Sequence, residues 1–314
     1  LPRPLVPAGI SLAQFRQLVD SPNTTEADLA PYVQPVAGPR AFDPVFRLNT
    51  NLVFDPRGFE SDAALTWAND WCRNRRHRAY RRKVRDGGNP IRIVSEGDSW
   101  FQYPFILDDV IDHLMAEPDL AVLSLDAGGD LISGMIASGE YLTAIEAEQP
   151  SVFLISGGGN DMVGDGRLSS RLHAFAPDRR PQDYPNAEFD AFLLEMRDSY
   201  RRLFASVKAL VPGIHIFCHA YDYPRPRAGG DWLGQPMRRN GITDETLQLQ
   251  VMAVVMDRVA ALLAGVVTEF SGVTFLDLRG RVAPGEWYDE LHPTSRGFKR
   301  VADVFLHAIR GLSI

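Results

Sequence analysis

The chain has 314 residues, of which 45% are hydrophobic and 23% charged, and its formal net charge is −7. This length allows one elaborated domain, or one domain with an appendage. No apolar run approaches the roughly 18 residues of a membrane span, and the N-terminal Leu1-Pro2-Arg3-Pro4 lacks a secretory signal pattern. The two cysteines, Cys72 and Cys218, have no metal-type spacing, which favours free thiols in a reducing compartment. We therefore expect no transmembrane segment and a cytoplasmic location, unless an upstream piece has been removed.

Charge is distributed unevenly between two parts of the chain. Residues 1–88 carry 13 basic and 9 acidic residues, whereas residues 89–314 carry 20 and 31. The first 60 residues are rich in proline and turn signals and predict an irregular arm with short helices over 11–19 and after Glu26. The sequence thus predicts an N-terminal arm and long basic helix over 1–88, followed by a separate acidic domain over 89–314.

The segment 61–85 has the apolar spacing of one long helix, and its second half is strongly basic. Its basic residues are Arg73, Arg75, Arg76, Arg78, Arg81, Arg82, Lys83 and Arg85. Such a run can bind the phosphates of a nucleic acid or an anionic membrane. However, no nucleic-acid motif accompanies it, so we expect a solvated or self-docked helix and no nucleic-acid partner.

From residue 91 onward, short apolar runs alternate with helical patterns. The predicted strands are Ile91–Val94, Leu120–Leu125, Val152–Ile155, Ile214–Cys218 and Val273–Leu276. The predicted helices are Phe105–Glu117, Leu131–Glu148, Ala187–Leu210, Thr243–Glu269 and Thr294–Leu312. Continuous apolar strands separated by helices indicate an α/β fold with a mostly parallel sheet covered on both faces.

Chemically useful residues follow the predicted strands, where the sites of open parallel sheets gather. Gly97-Asp98-Ser99 follows the first strand, and Gly157-Gly158-Gly159-Asn160-Asp161 follows the third. Asp289-Glu290-Leu291-His292-Pro293 comes shortly after the fifth. Residues from distant parts of the chain are therefore expected at one edge of the sheet.

These residues include the groups that acyl transfer from an ester requires. Ser99 is the candidate nucleophile, His292 the candidate base, and Asp289 can orient the imidazole from three residues away. Each has a simpler alternative: a helix cap for Ser99, a turn cap for Asp289 and a surface histidine for His292. Their joint occurrence, in this order and each near a strand end, favours catalysis.

Three groups are candidate donors to the oxyanion that develops during acyl transfer. They are the amides of Ser99 and Gly128 and the side-chain amide of Asn160. Glycine at position 128 allows a close approach of the backbone to the substrate, and Asn160 donates without adding a competing charge.

The set Gly97-Asp98-Ser99, Gly128, Gly158-Gly159-Asn160-Asp161 and Asp289-x-x-His292-Pro293 resembles the four sequence blocks of the SGNH, or GDSL-type, hydrolases. The resemblance spans about residues 90–312. It implies a flavodoxin-like three-layer α/β/α sandwich with five parallel strands. It further implies a triad of Ser99, Asp289 and His292, an oxyanion hole of Ser99, Gly128 and Asn160, and hydrolysis of lipid or carbohydrate esters without a metal or another cofactor.

Departures from the family pattern concern the substrate. Aromatic residues surround the nucleophile, and two long connections, over 162–186 and 222–242, are expected to overhang the site. The candidate substrate-lining residues are Trp100, Tyr103, Asp161 and Trp232. Crowding by these aromatic rings predicts short acyl groups, such as O-acetyl esters; the alternative is that most of them fill the core.

Three other functions remain compatible with the sequence. An acyltransferase or a lysophospholipase-type lipid esterase would use the same nucleophile. A binding or scaffold protein on a catalytically retired hydrolase fold would instead use the basic helix as its working surface. A metal hydrolase is poorly supported, because His215 and His219 are four apart on a predicted strand rather than on a helix.

Overall fold

The computed structural model describes residues 9–21, 23–36, 45–49, 51–54, 61–86 and 88–312. Nine strands lie in these ranges: β1 (Ile10–Ser11), β2 (Val33–Val36), β3 (Val45–Leu48), β4 (Val53–Phe54), β5 (Ile91–Gly97), β6 (Leu120–Ser124), β7 (Val152–Ser156), β8 (His215–Ala220) and β9 (Val273–Asp277). The α-helices there are α1 (Leu12–Asp20), α2 (Glu26–Leu29), α3 (Ser61–Asp86), α4 (Val110–Ala116), α5 (Ile132–Ser138), α6 (Glu140–Glu148), α7 (Gly159–Val163), α8 (Ala187–Leu210), α9 (Gly234–Arg239), α10 (Glu245–Val267) and α11 (Ser295–Arg310).

The last five strands form one parallel sheet in the order β6-β5-β7-β8-β9. This order places the switch point of the sheet beside β5, the strand that precedes Ser99. Helices α5, α6, α8 and α10 pack together on one face, and α4 and α11 pack together on the other. The predicted α/β fold, with its five-stranded parallel sheet and N-terminal extension, is confirmed.

Two helix predictions are wrong in detail. The helix expected from Phe105 begins at Val110, because Phe105 has a φ of +64° and the Asp109 side chain caps the helix at the amides of Ile111 and Asp112. The helix expected over 131–148 is two helices, because Gly139 adopts a left-handed conformation between them.

The N-terminal segment contains strands that the sequence did not predict. β1 pairs in parallel with β4, and β2 pairs antiparallel with β3. With α1, these elements enclose a small core whose buried residues are Phe15, Leu29, Val33, Leu48, Val53, Ala68, Trp71, Cys72 and Phe105. Because this core includes residues of α3 and Phe105, the N-terminal segment packs against the chain that follows the candidate nucleophile.

Helix α3 covers β6, the edge strand of the large sheet. Its side chains contact carbonyl oxygens at that edge: Lys83 Nζ donates to Leu120 at 2.8 Å, His77 Nε2 lies 2.7 Å from the oxygen of Ser124, and Arg73 donates to Leu125. A bare edge strand has unpaired polar groups that cost stability when buried and invite strand pairing when exposed. Basic residues of α3 are therefore used inside the molecule, as the self-docked alternative predicts.

Arg76 of α3 is buried, with a relative exposure of 2%, and links α3 to the start of α4. Its guanidinium donates to Asp109 at 2.7 Å and to the carbonyl of Phe101 at 2.8 Å, and lies 2.9 Å from Asp112. The same Asp109 carboxylate accepts from the amide of Tyr103 at 2.8 Å. Arg76 thus holds together α3, α4 and the segment after the nucleophile.

Helix α10 combines an apolar composition with a position inside the folded domain. By length and composition it is long and apolar enough to cross a membrane, the one such helix in the described part of the chain. In this fold it packs against β8, β9 and α8. Its apolar side chains, such as Val251, Val255 and Val259, are buried there, as expected of a helix that covers a sheet.

We predict that Arg76→Ala lowers the free energy of unfolding by about 3 to 5 kcal/mol, because it leaves two carboxylates uncompensated in the interior. Urea unfolding followed by far-UV circular dichroism measures the change. The matched control is Arg78→Ala on the exposed face of the same helix, which we expect to change stability by less than about 0.5 kcal/mol. Equal effects of the two variants would contradict the role given to Arg76.

Candidate active site

Ser99 lies on a tight turn directly after β5, and Asp98 holds that turn in place. One carboxylate oxygen of Asp98 accepts from the amide of Trp100 at 3.1 Å and from the hydroxyl of Ser156 at 2.9 Å. The other accepts from the hydroxyl of Tyr221. The ends of β5, β7 and β8 therefore meet at one buried carboxylate.

Tyr221 extends this connection to the start of α7. Its hydroxyl accepts from the amide of Gly159 at 3.0 Å while it donates to Asp98. A Cβ atom at position 159 would lie 2.9 Å from the Tyr221 ring, so glycine is needed there for the close approach. Burial raises the pKa of Asp98 to about 6, although the hydrogen bonds from Tyr221, Trp100 and Ser156 lower it in part.

Ser99, His292 and Asp289 form a continuous hydrogen-bonded chain. Ser99 Oγ lies 2.7 Å from Nε2 of His292, and Nδ1 of His292 lies 2.8 Å from Oδ2 of Asp289. Ser99 and His292 are buried, with relative exposures of 4% and 3%. In this geometry the imidazole can accept the proton of the serine hydroxyl while the carboxylate orients the ring.

The segment that carries Asp289 and His292 is folded onto its own carboxylate. Oδ1 of Asp289 accepts from the amides of Leu291 at 2.8 Å and of His292 at 2.7 Å. Burial raises the pKa of Asp289, but the charge and hydrogen bonds of His292, together with those two amides, outweigh burial and lower it overall. Asp289 is therefore ionised at neutral pH and can stabilise an imidazolium.

Three of the predicted substrate-lining residues are aromatic. Tyr103 and Trp232 pack against His292, and Trp100 directly follows Ser99. The Tyr103 ring meets the imidazole edge-on with centroids 4.7 Å apart, and the Trp232 ring does so at 5.9 Å. Trp100 is 3% exposed, donates from its indole nitrogen to the carbonyl of Leu291 at 3.0 Å, and packs against Phe298. Trp100 thus serves the core as well as the wall of the cleft, as the core alternative predicts.

His219 of β8 packs among aromatic side chains near the active site. Its ring stacks on Trp100 with centroids 5.8 Å apart and is also surrounded by Phe101, Tyr221 and Phe305. Burial lowers the pKa of His219 to about 4, so the imidazole is neutral. We assign it a packing role.

The candidate oxyanion donors differ in their availability. Asn160 is buried and uses one side-chain N–H to donate to the carbonyl of Asp130 at 2.8 Å, which leaves its second N–H for a ligand. The amide of Gly128 instead donates to Oδ1 of Asn69 at 3.1 Å. The expectation that Gly128 donates to an oxyanion is not supported, because this donor already has a partner within the protein.

Asp161 also differs from the expectation. Its carboxylate accepts from the amide of Ile132 at 3.0 Å, at the start of α5. Asp161 therefore provides an acceptor for a main-chain amide at the N-terminus of α5. Its neighbours Asn160, Met162 and Val163 line the cleft instead.

A cleft of about 390 Å³, including the space that opens to solvent, lies beside Ser99. It is lined by Asp98, Ser99, Trp100, Gly159, Asn160, Met162, Val163, Tyr221, Asp222, Pro224, Met256, Leu291 and His292. The walls are mainly apolar, and the polar side chains among them include Ser99, Asn160 and His292. Such a cleft suits an uncharged group attached to a reactive carbonyl.

Glu290 has an unforeseen role in holding the loop that follows β8. Its buried carboxylate accepts from four main-chain amides: those of Arg227 and Gly234 at 2.8 Å, and those of Trp232 and Leu233 at 3.1 Å. A Cβ atom at Gly230 would lie 1.9 Å from this carboxylate. The loop is therefore wrapped around a residue located between Asp289 and His292.

The parallel sheet with a serine, a histidine and a carboxylate at its carboxyl edge defines an α/β ester hydrolase. A model of the GDSL-like lipase/acylhydrolase family matches residues 95–300, and the chain belongs to that family. The resemblance deduced from the sequence blocks is thereby confirmed. A comparison with curated protein sequences finds no match.

Solved structures of similar fold include three carbohydrate or lipid esterases. A catalytic mutant of an acetylxylan esterase from Geobacillus stearothermophilus is 17% identical over 71% of this chain and 95% of its own, with a TM-score of 0.45. A family 3 carbohydrate esterase from Clostridium thermocellum is 16% identical over 72% and 100%, with a TM-score of 0.45. An extracellular lipase from Streptomyces rimosus is 14% identical over 69% and 99%, with a TM-score of 0.48. At these identities the likeness concerns the fold alone.

We predict that Glu290→Gln frees the loop over 227–234, because the new NH₂ group faces amides that need an acceptor. Trypsin digestion of the native protein should cut after Arg227 at least about tenfold faster than in the wild type, since local opening exposes that site. Glu245→Gln, an exposed substitution of the same kind, is the control. Equal digestion rates in all three proteins would show that the four hydrogen bonds do not hold the loop.

Proposed function

We propose that this ester hydrolase is a serine esterase that acts through an acyl-enzyme on Ser99 and prefers short acyl groups, such as O-acetyl esters. The observation that carries the proposal is the hydrogen-bonded chain from Ser99 Oγ through His292 to Asp289, with links of 2.7 and 2.8 Å. The roles of the three residues follow from their order in this chain.

In the first half of the reaction, Ser99 Oγ attacks the ester carbonyl carbon while Nε2 of His292 takes the hydroxyl proton. The ionised Asp289 stabilises the imidazolium, which then returns the proton to the leaving alcohol. In the second half, His292 removes a proton from water as the water attacks the acyl-enzyme carbonyl carbon. The imidazolium then gives this proton to Ser99 Oγ as the bond between Oγ and the acyl group breaks and the acid is released. No cofactor is needed for these steps.

The tetrahedral intermediate carries a negative charge that needs hydrogen-bond donors. The second side-chain N–H of Asn160 is available for it, because the first is used by Asp130. A second donor to the oxyanion is expected from the turn that carries Ser99. The amide of Trp100 already donates to Asp98, so we assign this role to the amide of Ser99. Gly128 has no part in this proposal, since its amide is bound to Asn69.

The preference for short acyl groups rests on the apolar lining of the cleft. Met162 and Val163 of α7 and Met256 of α10 are buried and line the same cleft as Ser99. An acetyl group needs little of this space, whereas each further methylene must be accommodated against these side chains.

A fluorophosphonate probe tests the nucleophile directly, because an activated serine attacks phosphorus as it attacks a carbonyl carbon. We expect covalent labelling of Ser99 in the wild type and none in Ser99→Ala, by mass spectrometry of the digested protein. Labelling of another serine, or no labelling of the folded wild type, would refute the assignment.

A second assay separates a hydrolase from an acyltransferase. A hydrolase releases acetate from 4-nitrophenyl acetate without transferring the acetyl group to an added alcohol.

Chain-length preference is tested by shortening Met256, which lines the cleft from α10. We expect Met256→Ala to raise kcat/KM for a hexanoyl ester relative to acetyl by at least about fivefold, since each accommodated methylene is worth about 1 kcal/mol or more. Nitrophenyl esters from acetyl to dodecanoyl provide the measurement. Met252→Ala, one turn earlier on α10, removes an equally buried methionine outside the cleft lining and should leave the profile unchanged. A wild-type optimum at eight carbons or more would contradict the short-acyl proposal.

A further inference from the structure

Asn69 of helix α3 binds both main-chain polar groups of one residue, Gly128, beside the active site. Its Oδ1 accepts from the amide of Gly128 at 3.1 Å, and its Nδ2 donates to the carbonyl of Gly128 at 3.2 Å. Asn69 is buried, with a relative exposure of 9%. It lies in the N-terminal segment, outside the residues 95–300 that match the family model.

The turn that Asn69 holds leads directly to the candidate oxyanion donor. Asp130 is two residues beyond Gly128, and its carbonyl accepts from Nδ2 of Asn160 at 2.8 Å. This hydrogen bond fixes the rotation of the Asn160 side-chain amide and hence the direction of its second N–H. A displacement of the 128–130 turn therefore moves a donor that must be aligned with the oxyanion.

Asn69 also reaches the turn that carries Ser99. Nε2 of Gln102 donates to Oδ1 of Asn69 at 3.0 Å and to its main-chain carbonyl at 3.2 Å, while the amide of Gln102 donates to the carbonyl of Asp98 at 3.0 Å. The turn at Gly128 and the turn after Ser99 lie close together: a Cβ atom at Gly128 would be only 3.2 Å from the carbonyl oxygen of Gln102. The donor from Gln102 also orients the Asn69 amide so that Oδ1 faces Gly128.

We propose that Asn69 is a positioning residue for the esterase reaction, through which the N-terminal helix aligns Asn160 with the nucleophile turn. This inference rests on the proposed function of Ser99 and Asn160. It assigns an active-site role to a segment that carries none of the family's sequence blocks. Asn69 itself touches neither the nucleophile nor the base; it acts through Gly128 and Gln102.

The test is a double-mutant cycle between Asn69 and Asn160, measured with 4-nitrophenyl acetate. We expect Asn69→Leu, which keeps the branched shape of the side chain and removes its hydrogen bonds with Gly128 and Gln102, to lower kcat by about 10- to 100-fold while KM changes less than about threefold. Asn160→Ala alone should lower kcat by about 10²- to 10³-fold. In the Asn160→Ala background, Asn69→Leu should lower kcat by less than about threefold, because the group it positions is gone.

Asn74→Ala removes an exposed asparagine from the same helix and should leave kcat and KM unchanged. If Asn69→Leu does not fold, Gln102→Leu replaces it in the cycle, since this change removes the donor that orients Asn69, and the same non-additivity is expected. Additive losses, or an unchanged kcat in a folded Asn69 or Gln102 variant, would overturn the positioning role. An unchanged kcat in Asn160→Ala together with unlabelled Ser99 would instead refute the proposed function.

Discussion

The buried carboxylate of Asp98 is the interaction on which the arrangement of the site depends. Parallel strands place their carboxyl ends at one edge, but they do not by themselves fix the loops that leave them. Asp98 fixes three of those ends, through the amide of Trp100 and the hydroxyls of Ser156 and Tyr221. Tyr221 passes the constraint on to Gly159, next to Asn160. The candidate nucleophile and the candidate oxyanion donor are thus held relative to one shared group.

A second constraint comes from β6, the edge strand of the large sheet that helix α3 covers. β6 is an edge strand, and carbonyl oxygens at that edge need donors that water supplies poorly once a helix covers them. Lys83, His77 and Arg73 of α3 provide contacts along the edge, and Arg76 fixes the helix to α4. These contacts account for Arg73, Arg76, His77 and Lys83, whereas Arg78, Arg81, Arg82 and Arg85 of the same helix are exposed.

Much of the fold and of the site could be predicted from the sequence because the relevant signals are local. Each strand is a short apolar run, and Asp289 and His292 lie three residues apart, so their contact requires only a turn. Asn69 could not be predicted, since its contact with Gly128 joins residues 59 positions apart and no motif marks it. The late start of α4 was missed because an apolar residue, Phe105, adopts a positive φ that its side chain does not favour. The N-terminal strands pair over very short lengths, which leaves little alternation to detect.

The loop after β8 is held in an unusual way. All four hydrogen bonds from this loop to the Glu290 carboxylate come from main-chain amides. Side chains of the loop add to this hold, since the Arg227 guanidinium donates to the carbonyls of Trp287 and Tyr288, and the Trp232 ring meets His292 edge-on. Because Glu290 lies between Asp289 and His292, the path of the loop and the position of the candidate base depend on one short segment. A displacement of that segment would move both together.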